Sequence, residues 1–230
     1  MNRKLLSCVL VAAALSIGCG DSNGPNQEGR LRLVHVVPDV ASLDVVVDGD
    51  TVATGIGYLG SMDYMQLKSG GHVLQVSETG TTTTLVDQDV TVADGADYTM
   101  LVTRTPQGPI GPLLLTDNND TPPAGTFRVR AVHAAPSAPA GGVDVYVTDP
   151  DADITLTSPN ASDITFGQVL PYVESAVGTF QIRVTATGSK DVLIDTGPLT
   201  LDDGQVRTVV AVDAVGGGQP LNFLVLDDRD

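Results

Sequence analysis

Tryptophan is absent from the 230 residues, and aromatics make up only 4% of the chain. Both cysteines, Cys8 and Cys19, fall within the first nineteen residues. A chain cut after residue 18 therefore has no second thiol. That excludes a disulfide scaffold and any multi-cysteine metal site, and acylation of Cys19 would exclude a cysteine nucleophile as well. Basic residues number 12 against 28 acidic ones, a net charge of −16. A surface of that sign excludes nucleic acid as a partner, because phosphate contacts need Lys and Arg. It also disfavours attachment to anionic lipid through a basic patch.

Helix formers are scarce among the charged residues. Only Glu28, Glu78 and Glu174 are glutamates and only Lys4, Lys68 and Lys190 are lysines, so the acids are almost all Asp. Valine and threonine are abundant, and 25 Gly and 14 Pro punctuate the chain. Asp, Gly and Pro make turns, whereas Val and Thr fit pleated strands. The composition predicts an all-β protein with short loops, and 42% hydrophobic residues are enough to build a core.

The first 18 residues read as a targeting segment. Met1-Asn2-Arg3-Lys4 is basic, and Leu5 to Ile17 is an apolar run too short to span a bilayer. The following Ser16-Ile17-Gly18-Cys19 resembles a bacterial lipobox, although Ser16 stands where that pattern prefers Leu. The resemblance implies cleavage before Cys19 and lipidation of its thiol. Cleavage also removes Arg3 and Lys4, leaving 10 bases against 28 acids. Residues 19–29 then form a polar tether to an outer-membrane anchor. Gly20, and not an acid, follows the cysteine.

The rest of the chain is a tandem repeat. Arg32-Leu33-Val34-His35-Val36-Val37-Pro38 returns as Arg130-Ala131-Val132-His133-Ala134-Ala135-Pro136. Leu43-Asp44-Val45-Val46-Val47 returns as Val143-Asp144-Val145-Tyr146-Val147, and Leu113 to Asp117 is matched by Leu224 to Asp227. The first copy runs over residues 30–120 and the second over 126–230, with a Pro-Pro linker at 121–125. Apolar residues recur with period two, so Leu31, Leu33, His35 and Val37 share a strand face. About seven strands per copy, with Asp-Gly turns at 48–49, 94–95 and 203–204, predict two tandem immunoglobulin-like β-sandwich modules that fold semi-independently.

These residues carry a family resemblance. The Val-His-x-x-Pro segment, the Leu/Val-Asp-Val-x-Val strand and Phe166-Gly167 (or Leu59-Gly60) before a tyrosine resemble the bacterial domain-of-unknown-function family 4397. The resemblance spans about residues 30–230. It implies a β-sandwich on a secreted or surface protein, and it implies no reaction.

No catalytic constellation emerges, and no cofactor is expected. Gly55-x-Gly57-x-x-Gly60 fits a dinucleotide fingerprint, but Gly70-Gly71 follows too soon for the helix that motif needs. His35 and His133 recur in both copies with Pro38, Pro136, Asp44 and Asp144, and read as structural residues of a strand end and its turn. Asp149, Asp151 and Asp153 are weak calcium candidates, since their spacing lacks the Gly and Glu of an EF-hand loop. The sequence thus points to a non-enzymatic, lipid-anchored envelope protein that binds or spaces an envelope protein or glycan. A carbohydrate- or calcium-dependent adhesin is the alternative, and an envelope hydrolase a distant one.

Overall fold

The computed structural model describes residues 27–229. The targeting segment, Cys19 and most of the tether lie outside the described residues. Sixteen strands and no helix make up the described chain: β1 (Glu28–Val36), β2 (Ser42–Val47), β3 (Asp50–Gly57), β4 (Met65–Lys68), β5 (Gly70–Glu78), β6 (Thr84–Val92), β7 (Asp97–Arg104) and β8 (Ile110–Asp117), then β9 (Thr126–His133), β10 (Val143–Thr148), β11 (Ala161–Ile164), β12 (Val173–Ala176), β13 (Gly178–Ala186), β14 (Val192–Leu201), β15 (Val206–Val212) and β16 (Asn222–Asp227). The first eight pair as two sheets, β4-β1-β7-β8 and β3-β2-β5-β6. The second eight repeat the order as β12-β9-β15-β16 and β11-β10-β13-β14. The chain is therefore all-β, with two immunoglobulin-like sandwiches in tandem. Each has eight strands where the pattern predicts about seven; β3, the return arm of the Asp48-Gly49 hairpin, is the addition. That turn has positive φ at both residues, 51° and 89°, as a two-residue hairpin with the twist of its strands requires.

In each module one pairing is parallel, β1 with β7 and β9 with β15. These strands occupy the centre of their sheets, and in β1 both faces are covered. Leu31, Leu33 and His35 point into the first module's own core. Val34 and Val36 point the other way and join one cluster with Leu101, Leu115, Val132, Ala134, Val210, Val212 and Leu226. That cluster draws on both modules, so sheet β4-β1-β7-β8 packs face to face on sheet β12-β9-β15-β16. The four sheets stack as layers, with the two outer ones solvated on one side. This explains why Leu31–Val37 is nearly continuous in apolar character, whereas β5 alternates buried Leu74 and Val76 with exposed Val73 and Gln75. This shared core sets a single folded body against the expectation of semi-independent modules.

Candidate functional site

The sequence-selected histidines sit at the ends of β1 and β9, both buried, His35 fully and His133 at 4% exposure. His35 donates from Nε2 to the Val40 carbonyl at 2.9 Å, and its Nδ1 accepts the Val37 N–H at 3.2 Å. His133 Nδ1 accepts the Ala135 N–H at 3.3 Å. Each imidazole thus fixes the backbone two residues on, just before Pro38 or Pro136. Tyr58 stands edge-on to His35, and Phe166 to His133. Phe166 is therefore the counterpart of Tyr58, one position earlier than the sequence match to Leu59-Gly60. Neither Asp44 nor Asp144 reaches a histidine. Asp44 accepts Gly55 N–H and Thr79 Oγ1, and Asp144 accepts Asp163 N–H and Gly188 N–H, so both tie outer-sheet loops.

Burial holds both His35 and His133 below the ordinary histidine pKa of 6.5, partly opposed by the Val40 carbonyl in one and the Asp213 charge in the other. Their neutral forms are favoured by the fold, so the stability they contribute is full above about pH 6.5 and is lost as pH falls through the depressed values. Half-buried His72 behaves oppositely. Its contacts with Asp48 and the Lys68 carbonyl raise it, so its contribution is present at low pH and is lost as pH rises through the raised value. Imidazole NMR should show His72 titrating first as pH is lowered, with His35 and His133 still neutral at pH 6.5. Titration of either buried ring at or above 6.5 would contradict a structural role.

The calcium candidates do not converge. Asp153 accepts the Thr155 N–H at 2.8 Å within its own turn, and the Asp151 N–H donates to Gln181. Among the described residues no group of three or more His, Cys, Asp or Glu could hold a metal ion. Gly55, Gly57 and Gly60 lie at the end of β3 and in the turn after it, with no helix behind them. The tyrosines are also engaged. Tyr146 is buried at 2% exposure, and Tyr58 donates to the Asp213 carbonyl of the other module at 2.7 Å. Burial, with the Asp213 charge, pushes the Tyr58 hydroxyl up to about 12.

Sequence reasoning passed over a buried polar arrangement between the modules. Arg32 projects from the module-facing side of β1. Its Nε donates to Thr99 Oγ1 at 2.8 Å, and its two terminal nitrogens donate to the Asp227 carbonyl and the Asp228 carboxylate. Arg130 repeats this from β9, donating to Thr208 Oγ1, the Thr116 carbonyl and the Asp117 carboxylate. Thr99 donates in turn to Asp117, and Thr208 to Asp228, both at 2.6 Å. The six side chains close a ring, Arg32–Thr99–Asp117–Arg130–Thr208–Asp228, that crosses the module boundary twice. Tyr64 and Tyr172 cap it. Each ring lies 4.6 Å from its own module's guanidinium, Arg32 or Arg130, and donates to Asp117 or Asp228. Burial, reinforced by that carboxylate, raises both phenols far above the ordinary tyrosine value. The available signal was an Arg within an apolar strand, twice, at matched positions.

Polar groups in this ring are mutually satisfied, and the arrangement joins modules; it has no nucleophile with a free base beside it. A separate cavity of about 520 Å³ opens between the sheets of the second module, lined by residues such as Val129, Ala131, Val145, Phe180, Ile182 and Val209.

The sequence profile of a domain of unknown function (DUF4397) matches residues 29–146 and again 140–230. No curated protein matches the chain. Among solved structures, a family 26 carbohydrate-binding module from Eubacterium rectale Amy13K, in complex with maltoheptaose, is 11% identical, with 88% of this chain and 98% of that one covered and a TM-score of 0.27. A putative adhesin from Bacteroides ovatus is 11% identical over 87% and 95%, TM-score 0.24. A leucine-rich repeat protein from Bacteroides thetaiotaomicron is 16% identical with a TM-score of 0.22, and the chain spans only 27% of its length. Scores this low carry no structural or functional argument.

Proposed function

The chain belongs to the DUF4397 family, a domain of unknown function that it carries twice, and we propose that it is a non-enzymatic, lipid-anchored surface protein of the bacterial envelope. Its two modules act as one stiff body that holds a binding face away from the membrane. The observation that carries this reading is the reciprocal Arg32–Asp228 and Arg130–Asp117 exchange across a shared apolar core. A spacer requires modules that do not hinge, and two buried ion pairs with an apolar cluster around them oppose hinging.

The repeated residues favour binding or spacing over catalysis. His35 and His133 are bonded to backbone in their buried places, and Asp44 and Asp144 hold loops. The anchor rests on the Ser16-Ile17-Gly18-Cys19 segment. Intact-mass analysis of membrane-extracted protein should find Cys19 as the acylated N-terminus. Cys19→Ala should release the chain from the membrane fraction. A soluble species that starts elsewhere, unaltered by Cys19→Ala, would sink the anchored reading.

A further inference from the structure

The repeat lets the two cores be compared position by position. Register equates β1 with β9 and β7 with β15, so Leu33 corresponds to Ala131 and Met100 to Val209. On the edge strand, Leu67 of β4 corresponds to Ser175 of β12. At each position the second module has the smaller side chain. Leu33 and Met100 are fully buried, but Ala131, on a central strand, is only half-buried. Phe127 and Phe180 restore part of the lost volume by packing on each other at 5.4 Å. About 520 Å³ remains open between the sheets. Native cores are packed to crystal-like density, so an opening of that size beside half-buried Ala131, where the matching Leu33 is fully buried, is a difference in construction. It falls within the ~300–1,000 Å³ range of small-molecule sites.

The same comparison locates the mouth. Val47 and Val147 hold equivalent places on β2 and β10, yet Val47 is 4% exposed and Val147 41%. In the first module the tight Asp48-Gly49 turn leads into eight-residue β3, which covers that edge. In the second, residues 149–160 replace the turn and β11 has only four residues. Val173, on β12 across the opening, is 58% exposed.

We infer that the second module binds one uncharged long-chain aliphatic molecule between its sheets. The slot is flat, because packed sheets lie ~10 Å apart. Its lining is mostly apolar, from both sheets, which suits a chain of methylenes; Thr148, Asp149, Asn160, Ser175 and the ring-bound Arg130 are its polar members. Polar groups gather at the mouth, where Asp149 and Asn160 stand. An acid there, on a protein of net charge −16, repels a carboxylate head and admits a neutral one. The inference goes beyond the spacer reading and does not rest on the lipid anchor. Failure of acylation at Cys19 would leave every outcome below unchanged.

The test uses the full chain with Cys19→Ala, handled without detergent. N-phenyl-1-naphthylamine, an uncharged apolar fluorophore, serves as probe, and the absence of tryptophan leaves a clean background. The probe should bind one to one and saturably. It should be displaced by 1-dodecanol, and at least tenfold less well by dodecanoate. Ala131→Leu with Val209→Met transplants the first module's side chains. It should weaken probe binding at least tenfold without lowering the unfolding midpoint. Should that pair fail to fold, Ser175→Leu on the edge strand should produce the same loss. Absence of saturable binding, a second equivalent site, or affinity within twofold of the parent in a folded filled variant would overturn the site. Dodecanoate binding as tightly as dodecanol would overturn the ligand class.

Discussion

Arg32→Ala should lower the unfolding free energy by ~3–5 kcal/mol, the cost of leaving one member of a buried ion pair without its partner. The pair qualifies, since the Arg32 side chain is 6% exposed and the Asp228 side chain 0%. The substitution removes three donors at once, to Thr99, the Asp227 carbonyl and the Asp228 carboxylate. Asp228 would keep its bonds from Tyr172 and Thr208 but lose its counter-charge. Arg32→Lys should recover little, because one ammonium cannot meet three acceptors arranged around a planar guanidinium. Arg130→Ala should cost a similar amount through Asp117. The double variant should cost less than the sum of the two, since both arginines belong to one ring. Equilibrium denaturation at two ionic strengths checks this. A loss under 1 kcal/mol, or one that vanishes in high salt, would mark the pair as a solvated surface contact.

Residues 27–120 and 121–229 expressed apart should not give two soluble folded monomers. The first half would expose Val34, Val36, Leu101 and Leu115, the second Val132, Ala134, Val210, Val212 and Leu226. Each would also carry an arginine and an aspartate stripped of their counter-charges. Apolar faces of this kind drive association. Co-expression should recover a one-to-one complex, because every contact across the boundary is non-covalent. Size-exclusion chromatography with light scattering reads the outcome. Two monomeric halves, each unfolding at the intact chain's midpoint, would return the modules to independence.

Much of the fold was legible in the sequence, and the reasons are local. Period-two alternation marks β5 because its outer face meets water, and Asp48-Gly49 announces its hairpin because both residues need positive φ. Repeat matching located the strands to within a few residues. It slipped by one at Phe166, whose structural counterpart is Tyr58, and at Asp117, whose structural counterpart is Asp228 and not Asp227. What the sequence did not disclose is what faces what. Val34 and Val36 look like ordinary strand valines, and only the packing of one module on the other gives them a partner. Arg32 and Arg130 lie inside the motif that defines the repeat. Their side chains find acceptors nearly two hundred and about a dozen residues away in sequence, and no local pattern encodes such a pairing. The slot in the second module was equally hidden. The repeat already set Ala131 against Leu33, but Ser175 falls opposite Leu67 only in the strand register, and only the packing shows an opening beside them.

Scanning calorimetry of the intact chain tests most directly whether the two modules form one body. One core and one closed ring across the boundary predict a single transition, with equal calorimetric and van 't Hoff enthalpies. Arg32→Ala should move that single transition down as a whole. Two resolved transitions, or a calorimetric enthalpy about twice the van 't Hoff value, with Arg32→Ala shifting only one of them, would contradict the account.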